Sequence, residues 1–307
     1  MNRIFMKSKN LQWGGTEGFK NRNIELVKKR HTIKYIIEDL FGMDFVRYLK
    51  FMRSRSKLKK SIRFHNVPKR QMQECSSLAI IFTGAGDYIK FFPRYYNSFK
   101  KYFLPKTKKK FFVFTDMINF EYLKNKEDVV VIPLEFRGGS FMTLSKFKFI
   151  ASIKNKLKEH THILFADSDM YAVGVTSNED FFCHEKPLFA MKHPCFLNVM
   201  GQFELNPTSK AALNKDDNLS IYRQACFWGG KTKELIKMCE DINEGIETDF
   251  KNKIIALWLD ESHLNKYFIK NLEKVYTHDS SYGYPGGWPV LKGYRVKLIH
   301  DKGDILK

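Results

Sequence analysis

The chain has 307 residues, 43% of them hydrophobic and 15% aromatic, which supplies a sizeable core and excludes a disordered polymer. Its formal net charge of +20 is concentrated at one end: residues 1–75 hold nineteen Lys or Arg against six Asp or Glu, leaving a surplus of only seven for the rest. No apolar run approaches the roughly 20 residues that cross a bilayer, and the N-terminus lacks a signal peptide's apolar centre, so a cytoplasmic address is expected.

The stretch "HTIKYIIEDLFGMDFVRYLKFMRSRSKLKKSIRF" begins with apolar residues at helical spacing (Ile33, Ile36, Ile37, Leu40, Phe41) and ends in dense basic charge. Two readings stand: contact with an anionic membrane at the inner leaflet, cationic face down, or a peripheral helix packed on the main body with a solvated basic tail. A boundary is expected near residue 75, between a basic helical segment (1–75) and a main domain (76–307). The five cysteines, Cys75, Cys183, Cys195, Cys226 and Cys239, are odd in number and form no CxxC pair. They read as small buried hydrophobes rather than as a disulfide framework or a zinc site.

Beyond residue 75, short apolar runs alternate with helical stretches. "SSLAIIFTGAGDY", "KKFFVFTD", "DVVVIPLEF" and "THILFADSD" read as buried strands, with helices expected over 92–103 and 141–158. Such alternation predicts an α/β fold, a mostly parallel sheet covered by helices on both sides. Ligands in such sheets collect at the carboxyl ends of the strands. Three of the runs end in polar or flexible groups there: Thr83 to Gly86, Thr115 with Asp116, and Asp167 with Asp169. Neither GxGxxG nor GxxxxGK[ST] follows the first strand, which disfavours a dinucleotide fold and a P-loop enzyme.

Asp167 and Asp169 flank Ser168 at the end of the fourth run. On a strand, residues two apart share a face, so the two carboxylates would converge and repel unless a cation lies between them. A hard divalent ion, Mn2+ or Mg2+, takes such oxygens and completes its shell with water and phosphate. A plain capped turn is the other reading of the same triplet.

Farther along, "IIALWLDESHLNKYF" (254–268) sets Asp260, Glu261, Ser262, His263, Asn265 and Lys266 after an apolar run. From the residues alone it is a helix start capped by Asp260 or Ser262. The stretch "WLDESHLNKYF" also resembles the WHDESHLNKY signature of glycosyltransferase family 6, which includes the ABO blood-group transferases and α-1,3-galactosyltransferase. The resemblance is carried in the same order by "FVFTD" (112–116), "DSDM" (167–170), "KHPCF" (192–196), "FELNP" (203–207), "FWGG" (227–230) and "GGWP" (286–289). It covers roughly residues 78–298.

That resemblance implies a GT-A fold and a retaining transfer of galactose or N-acetylgalactosamine from a UDP-sugar. The acceptor it implies is the 3-OH of a terminal galactose on an oligosaccharide or glycolipid, giving an α-1,3 linkage. It gives Asp167 and Asp169 to the metal, with Ser168 beside the donor diphosphate, and Glu261 to the reacting anomeric carbon. Gly84, Ala85, Tyr88, Lys146, Gln224, Ala225, Cys226 and Asp260 fall at donor-facing positions. His193, Gln202, Trp258 and Glu261 fall at acceptor-facing ones.

The sequence departs from the family's pattern in several places. Lys146 replaces an arginine, keeping the charge and losing the bidentate fork. Gln224, Ala225 and Cys226 match neither mammalian donor type: the bulk of Cys226 favours galactose, whereas Gln224 could bond an N-acetyl amide. Leu259 stands where histidine is usual, and "DSSYGYPGGWP" lacks the family's Trp-Asp acceptor pair. With no stem or membrane anchor in evidence, a bacterial or phage-borne enzyme acting on lipid-linked or lipooligosaccharide glycans is expected. Nucleic-acid binding would explain only the basic N-terminal part and is not expected. A catalytically silent carbohydrate-binding relative would have no need to keep Asp167, Asp169 and Glu261.

Overall fold

The computed structural model describes residues 42–305, apart from 66 and 304. Ile33, Ile36, Ile37, Leu40 and Phe41 lie outside the described residues. The first element is helix α1 (Met43–His65), which contains most of the basic stretch. Its buried residues Phe51 and Leu58 join a small cluster with Tyr284, Trp288 and Tyr294 on the main body.

The main body alternates as the sequence predicts. Strand β1 (Ser77–Thr83) leads through a 3-10 turn (Gly86–Phe91) into α2 (Phe92–Tyr102), followed by β2 (Lys108–Thr115) and β3 (Val129–Pro133). Next come α3 (Gly139–Ser152), the short α4 (Lys154–Leu157), β4 (His162–Ala166), β5 (Met170–Ala172), α5 (Asn178–Phe181) and β6 (Leu188–Lys192). The chain continues with β7 (Arg223–Lys231), α6 (Thr232–Lys251), α7 (Asp260–Lys270), β8 (Val275–His278), β9 (Tyr284–Pro285) and β10 (Leu298–His300). The helix expected over 141–158 is split at Ile153, so that α3 and α4 are separate elements.

Seven strands form one sheet in the order β3-β2-β1-β4-β7-β6-β8. Pairing is parallel from β3 to β4 and between β6 and β8, and antiparallel on both sides of β7, so β7 alone runs against the rest. The sheet is mixed and mostly parallel, as a GT-A type fold requires. Strands β5, β10 and β9 make a second, three-stranded sheet.

Burial on both faces explains why the strands read as continuous apolar runs. Along β1, Leu78, Ile80 and Phe82 join a core with Phe92, Tyr95 and Phe99 of α2. Their neighbours Ala79 and Ile81 join the opposite core, with Phe147 of α3, Met238 of α6 and Leu264 of α7. Phe111 and Val113 repeat this division against Phe112 and Phe114, and Leu164 and Ala166 against Ile163 and Phe165. The period-two alternation thus feeds two cores, and the strand ends open on one edge of the molecule.

Candidate active site

At the end of β1, Gly84 donates its amide to Phe114 O at 2.9 Å. A Cβ there would lie 2.4 Å from Phe82 Cε1, so the close approach demands glycine. Ala85 O accepts from Tyr88 N at 3.2 Å, and Gly86 N donates to Asp116 Oδ1 at 2.7 Å, joining the ends of β1 and β2. Tyr88 is half-buried, and its hydroxyl lies 2.6 Å from Lys302 Nζ.

Beyond β4 the chain turns rather than continuing as strand. Met170 N donates to Asp167 O at 3.0 Å, and Asp167 and Asp169 lie on either side of Ser168 in that turn. The expected strand alternation is therefore corrected, yet the convergence remains. One ligand atom each from Asp167, Asp169 and His300 lie within 4.8 Å of one another. This is the group among the described residues whose donor set suits a divalent cation.

His300, on β10, was missed by sequence reasoning. Its Nε2 lies 3.1 Å from Asp169 Oδ1 and its Nδ1 lies 3.2 Å from Gln224 Nε2. Burial works against both charges in this pair. The His300 imidazolium nevertheless holds the Asp169 carboxyl below its ordinary range, and Asp169 and Cys226 hold His300 well above its own.

Lys146, buried on α3, sits at the centre of the acidic patch. Its Nζ is 2.7 Å from Asp260 Oδ2, 3.5 Å from Asp167 Oδ1 and 4.5 Å from the centre of the Phe165 ring. Burial disfavours its charge, but the two carboxylates more than offset that and raise its pKa above the ordinary lysine value. Burial raises the Asp260 pKa, with the Lys146 charge opposing it.

Asp260 and Glu261 open α7. The expected side-chain cap is absent: Leu259 is the N-cap residue, at φ 51° and ψ −125°, and the Ser262 hydroxyl instead accepts from Trp258 N at 2.9 Å. Positive φ in a non-glycine residue next to the buried Asp260 and the half-buried Glu261 is strain of the kind found at working sites. Glu261 Oε2 accepts from Ala225 N at 2.9 Å, and the next residue of β7, Cys226, accepts Asp167 N through its carbonyl at 2.8 Å. Asn265 fixes this arrangement. Its Oδ1 accepts from Arg223 N at 2.9 Å and its Nδ2 donates to Arg223 O at 2.8 Å, tying α7 to β7. Burial pushes the Glu261 carboxyl up to about 7, although the Ala225 amide favours its ionised form.

The remaining candidates are His193, Gln202 and Trp258. His193 is engaged within its own turn, its Nδ1 accepting from Cys195 N at 3.1 Å and its ring packed on Phe196 and Tyr222. Burial depresses its pKa to about 3, so the imidazole is neutral. Gln202 is half-buried next to Gly201, where a Cβ would meet the Tyr222 ring at 2.1 Å. Trp258 is half-buried, with its Nε1 enclosed and unbonded among the described residues.

The model of glycosyltransferase family 6 matches residues 68–298. The chain belongs to glycosyltransferase family 6. Among similar curated proteins, the O-antigen biosynthesis glycosyltransferase WbnI of Escherichia coli is 28% identical over 211 residues, covering 66% of this chain and 88% of that protein. The histo-blood group ABO system transferase 1 of Rattus norvegicus is 24% identical over 227 residues, which is 66% of this chain and 63% of the rat protein. The globoside α-1,3-N-acetylgalactosaminyltransferase 1 of Gallus gallus is 25% identical over 194 residues, or 60% and 55% of the two chains. The chain thus spans less than two thirds of these two vertebrate relatives. Family membership makes this protein a glycosyltransferase, with a nucleotide-sugar donor and a glycan acceptor as its partners.

Proposed function

We propose that the protein is a retaining hexosyltransferase that moves galactose or N-acetylgalactosamine from a UDP-sugar to the 3-OH of a terminal galactose, forming an α-1,3 linkage. One observation carries this reading. Consecutive residues of β7, Ala225 and Cys226, bond Glu261 and Asp167, so the acid assigned to the reacting carbon and the acids assigned to the diphosphate share one patch.

Asp167 and Asp169 would hold Mn2+ or Mg2+, which when bound neutralises charge developing on the departing diphosphate. Lys146 adds a fixed positive charge beside Asp167. Gly84, Ala85 and Tyr88 form the turn at the end of β1 where uracil and ribose would lie. Ionised Glu261 then faces the anomeric carbon, either attacking it or stabilising positive charge on the sugar as the UDP bond breaks. Its raised pKa makes that ionised state pH-dependent near neutrality.

Gln224 belongs to the donor-facing stretch of β7, its amide 3.2 Å from His300 Nδ1. An amide there would suit an N-acetyl group, while the bulk of Cys226 favours galactose, so both donors remain in the proposal. His193, Gln202 and Trp258 would line the acceptor side, with Trp258 as an apolar platform for a sugar face.

The test is direct. The protein is incubated with UDP-galactose or UDP-GalNAc, with and without manganese, against lactose and fucosylated lactose, and products are weighed by mass spectrometry. Addition of one hexose or N-acetylhexosamine in the manganese reactions is expected. Neither transfer nor donor hydrolysis on any acceptor would sink the proposal.

A further inference from the structure

Helix α1 has two distinct long faces. On the inner one, Phe51, Ser54 and Leu58 are buried; the Phe51 ring lies 5.8 Å from Trp288 and Ser54 Oγ donates to Pro194 O at 2.8 Å. At about 100° per residue Leu49 and Met52 turn away from that face, with Tyr48 on its flank. Leu49, Met52 and Tyr48 are 50%, 40% and 49% exposed. Toward the C-terminal end the outward side changes character, to exposed Arg55, Lys59, Lys60 and Arg63. The helix holds eight Lys or Arg against one acid, Asp44.

A second segment extends this face. Asn198 Nδ2 donates to Arg53 O and lies 3.2 Å from Ser56 Oγ, holding the loop after β6 against the outer side of α1. The next two residues, Val199 and Met200, are 42% and 68% exposed. They belong to the stretch from His193 to Gln202 that is proposed to face the acceptor. Apolar side chains set among a strong excess of cations match a bilayer surface, where the former enter the headgroup boundary and the latter meet lipid phosphates.

We propose that the outer face of α1, with Val199 and Met200, docks on an anionic lipid bilayer and turns the acceptor end of the cleft toward it. The acceptor is then a lipid-linked glycan; that clause rests on the function proposed above, whereas the docking does not. Charge complementarity selects this occupant, since a second copy of the same cationic face would repel itself.

The full chain is sedimented with phosphatidylcholine vesicles, with and without phosphatidylglycerol, at low and high salt. Binding to the anionic vesicles alone, weakened by salt, is expected. Lys59→Glu, Lys60→Glu and Arg63→Glu together lower the partition coefficient at least tenfold, on the order of the loss of three surface cations. Leu49→Ser with Met52→Ser, which removes apolar surface without adding charge, lowers it at low and high salt alike. Thermal melts of both variants match the parent, because the changed side chains are exposed. Both variants keep the parent's turnover of a soluble disaccharide and lose turnover of the same glycan on vesicle-borne lipid.

Absence of vesicle binding, equal binding to neutral vesicles, or a dimer that forms in place of vesicle binding overturns the docking. So does preferential capture by duplex DNA at matched salt. Vesicle binding combined with equal turnover of soluble and lipid-borne acceptor overturns the acceptor clause alone. Failure to transfer to any acceptor removes the proposed function and leaves the vesicle result standing.

Discussion

Lys146 and Asp260 form a buried ion pair, Nζ to Oδ2 at 2.7 Å, and Asp167 lies on the other side of the same ammonium. Removing one partner from such a group leaves uncompensated charge in a low dielectric, which costs about 3–5 kcal/mol. Lys146→Met is therefore expected to lower folding stability by that amount in denaturant melts and to weaken UDP binding. Lys146→Arg keeps the charge and should retain most of both. Equal stability of Lys146→Met and the parent would remove the pair from this account.

Glu261 gives opposite signs for activity and stability. Its carboxyl is pushed up to about 7 by burial, above an ordinary value of 4.5. The folded protein therefore holds that proton more tightly than the unfolded chain, and the associated stability is lost as pH rises from about 4.5 through 7. Catalysis by the carboxylate has the reverse dependence and should rise with pH through about 7. Glu261→Gln is expected to abolish transfer while donor binding survives. At pH 8 it should be more stable than the parent by about 1–3 kcal/mol, with the lower end favoured because the side chain keeps some exposure. At pH 4 the two proteins should melt alike. An active Glu261→Gln enzyme, or one less stable at pH 8, contradicts this.

How far the sequence could be read follows from the range of the interactions. The first four strands were legible because β1, β2, β3 and β4 are apolar runs buried on both faces, a local signal. The antiparallel β7 was not, because its direction is set by pairing with β4 and β6 and not by its own residues. Asp167 and Asp169 stood out as charges ending an apolar run. Their convergence was expected from strand alternation and arises instead from a turn closed by Met170 N. Glu261 was assigned by family resemblance; by itself it looked like an ordinary first-turn acid. His300 gave no signal, because it reaches Asp169 only through the pairing of β10 with β5. Leu259 was legible as a departure from the family pattern, yet nothing in a leucine announces a φ of 51°.

Metal removal tests the paired aspartates. With Asp167, Asp169 and His300 offering ligand atoms within 4.8 Å of one another, a divalent ion has enough oxygen and nitrogen to bind. EDTA treatment is expected to abolish transfer, and manganese to restore it. Asp169→Asn should weaken manganese binding at least about tenfold, read from the free-ion signal in electron paramagnetic resonance. Undiminished turnover after exhaustive chelation would exclude a metal role for these residues.

Glu204 makes the last prediction, since it holds the approach to α7 without belonging to the acidic patch. It is 2% exposed, and its two oxygens each accept a backbone N–H: Oε2 from Leu257 at 2.6 Å and Oε1 from Asn206 at 2.8 Å. Leu257 lies two residues before the strained Leu259 and three before Asp260. The carboxylate thus clamps the segment whose end sets the direction of Glu261, and charge-assisted bonds of this kind are about twice as strong as neutral ones. Glu204→Gln keeps the shape but replaces one acceptor with an NH2 group, which must face a backbone donor. The expected cost is about 1–3 kcal/mol of stability. With the segment loosened, kcat should fall by about tenfold or more while the affinity for UDP holds, because Asp167 and Asp169 are supported from other elements. A loss confined to UDP affinity, with kcat unchanged, would show that Glu204 acts elsewhere than on the start of α7.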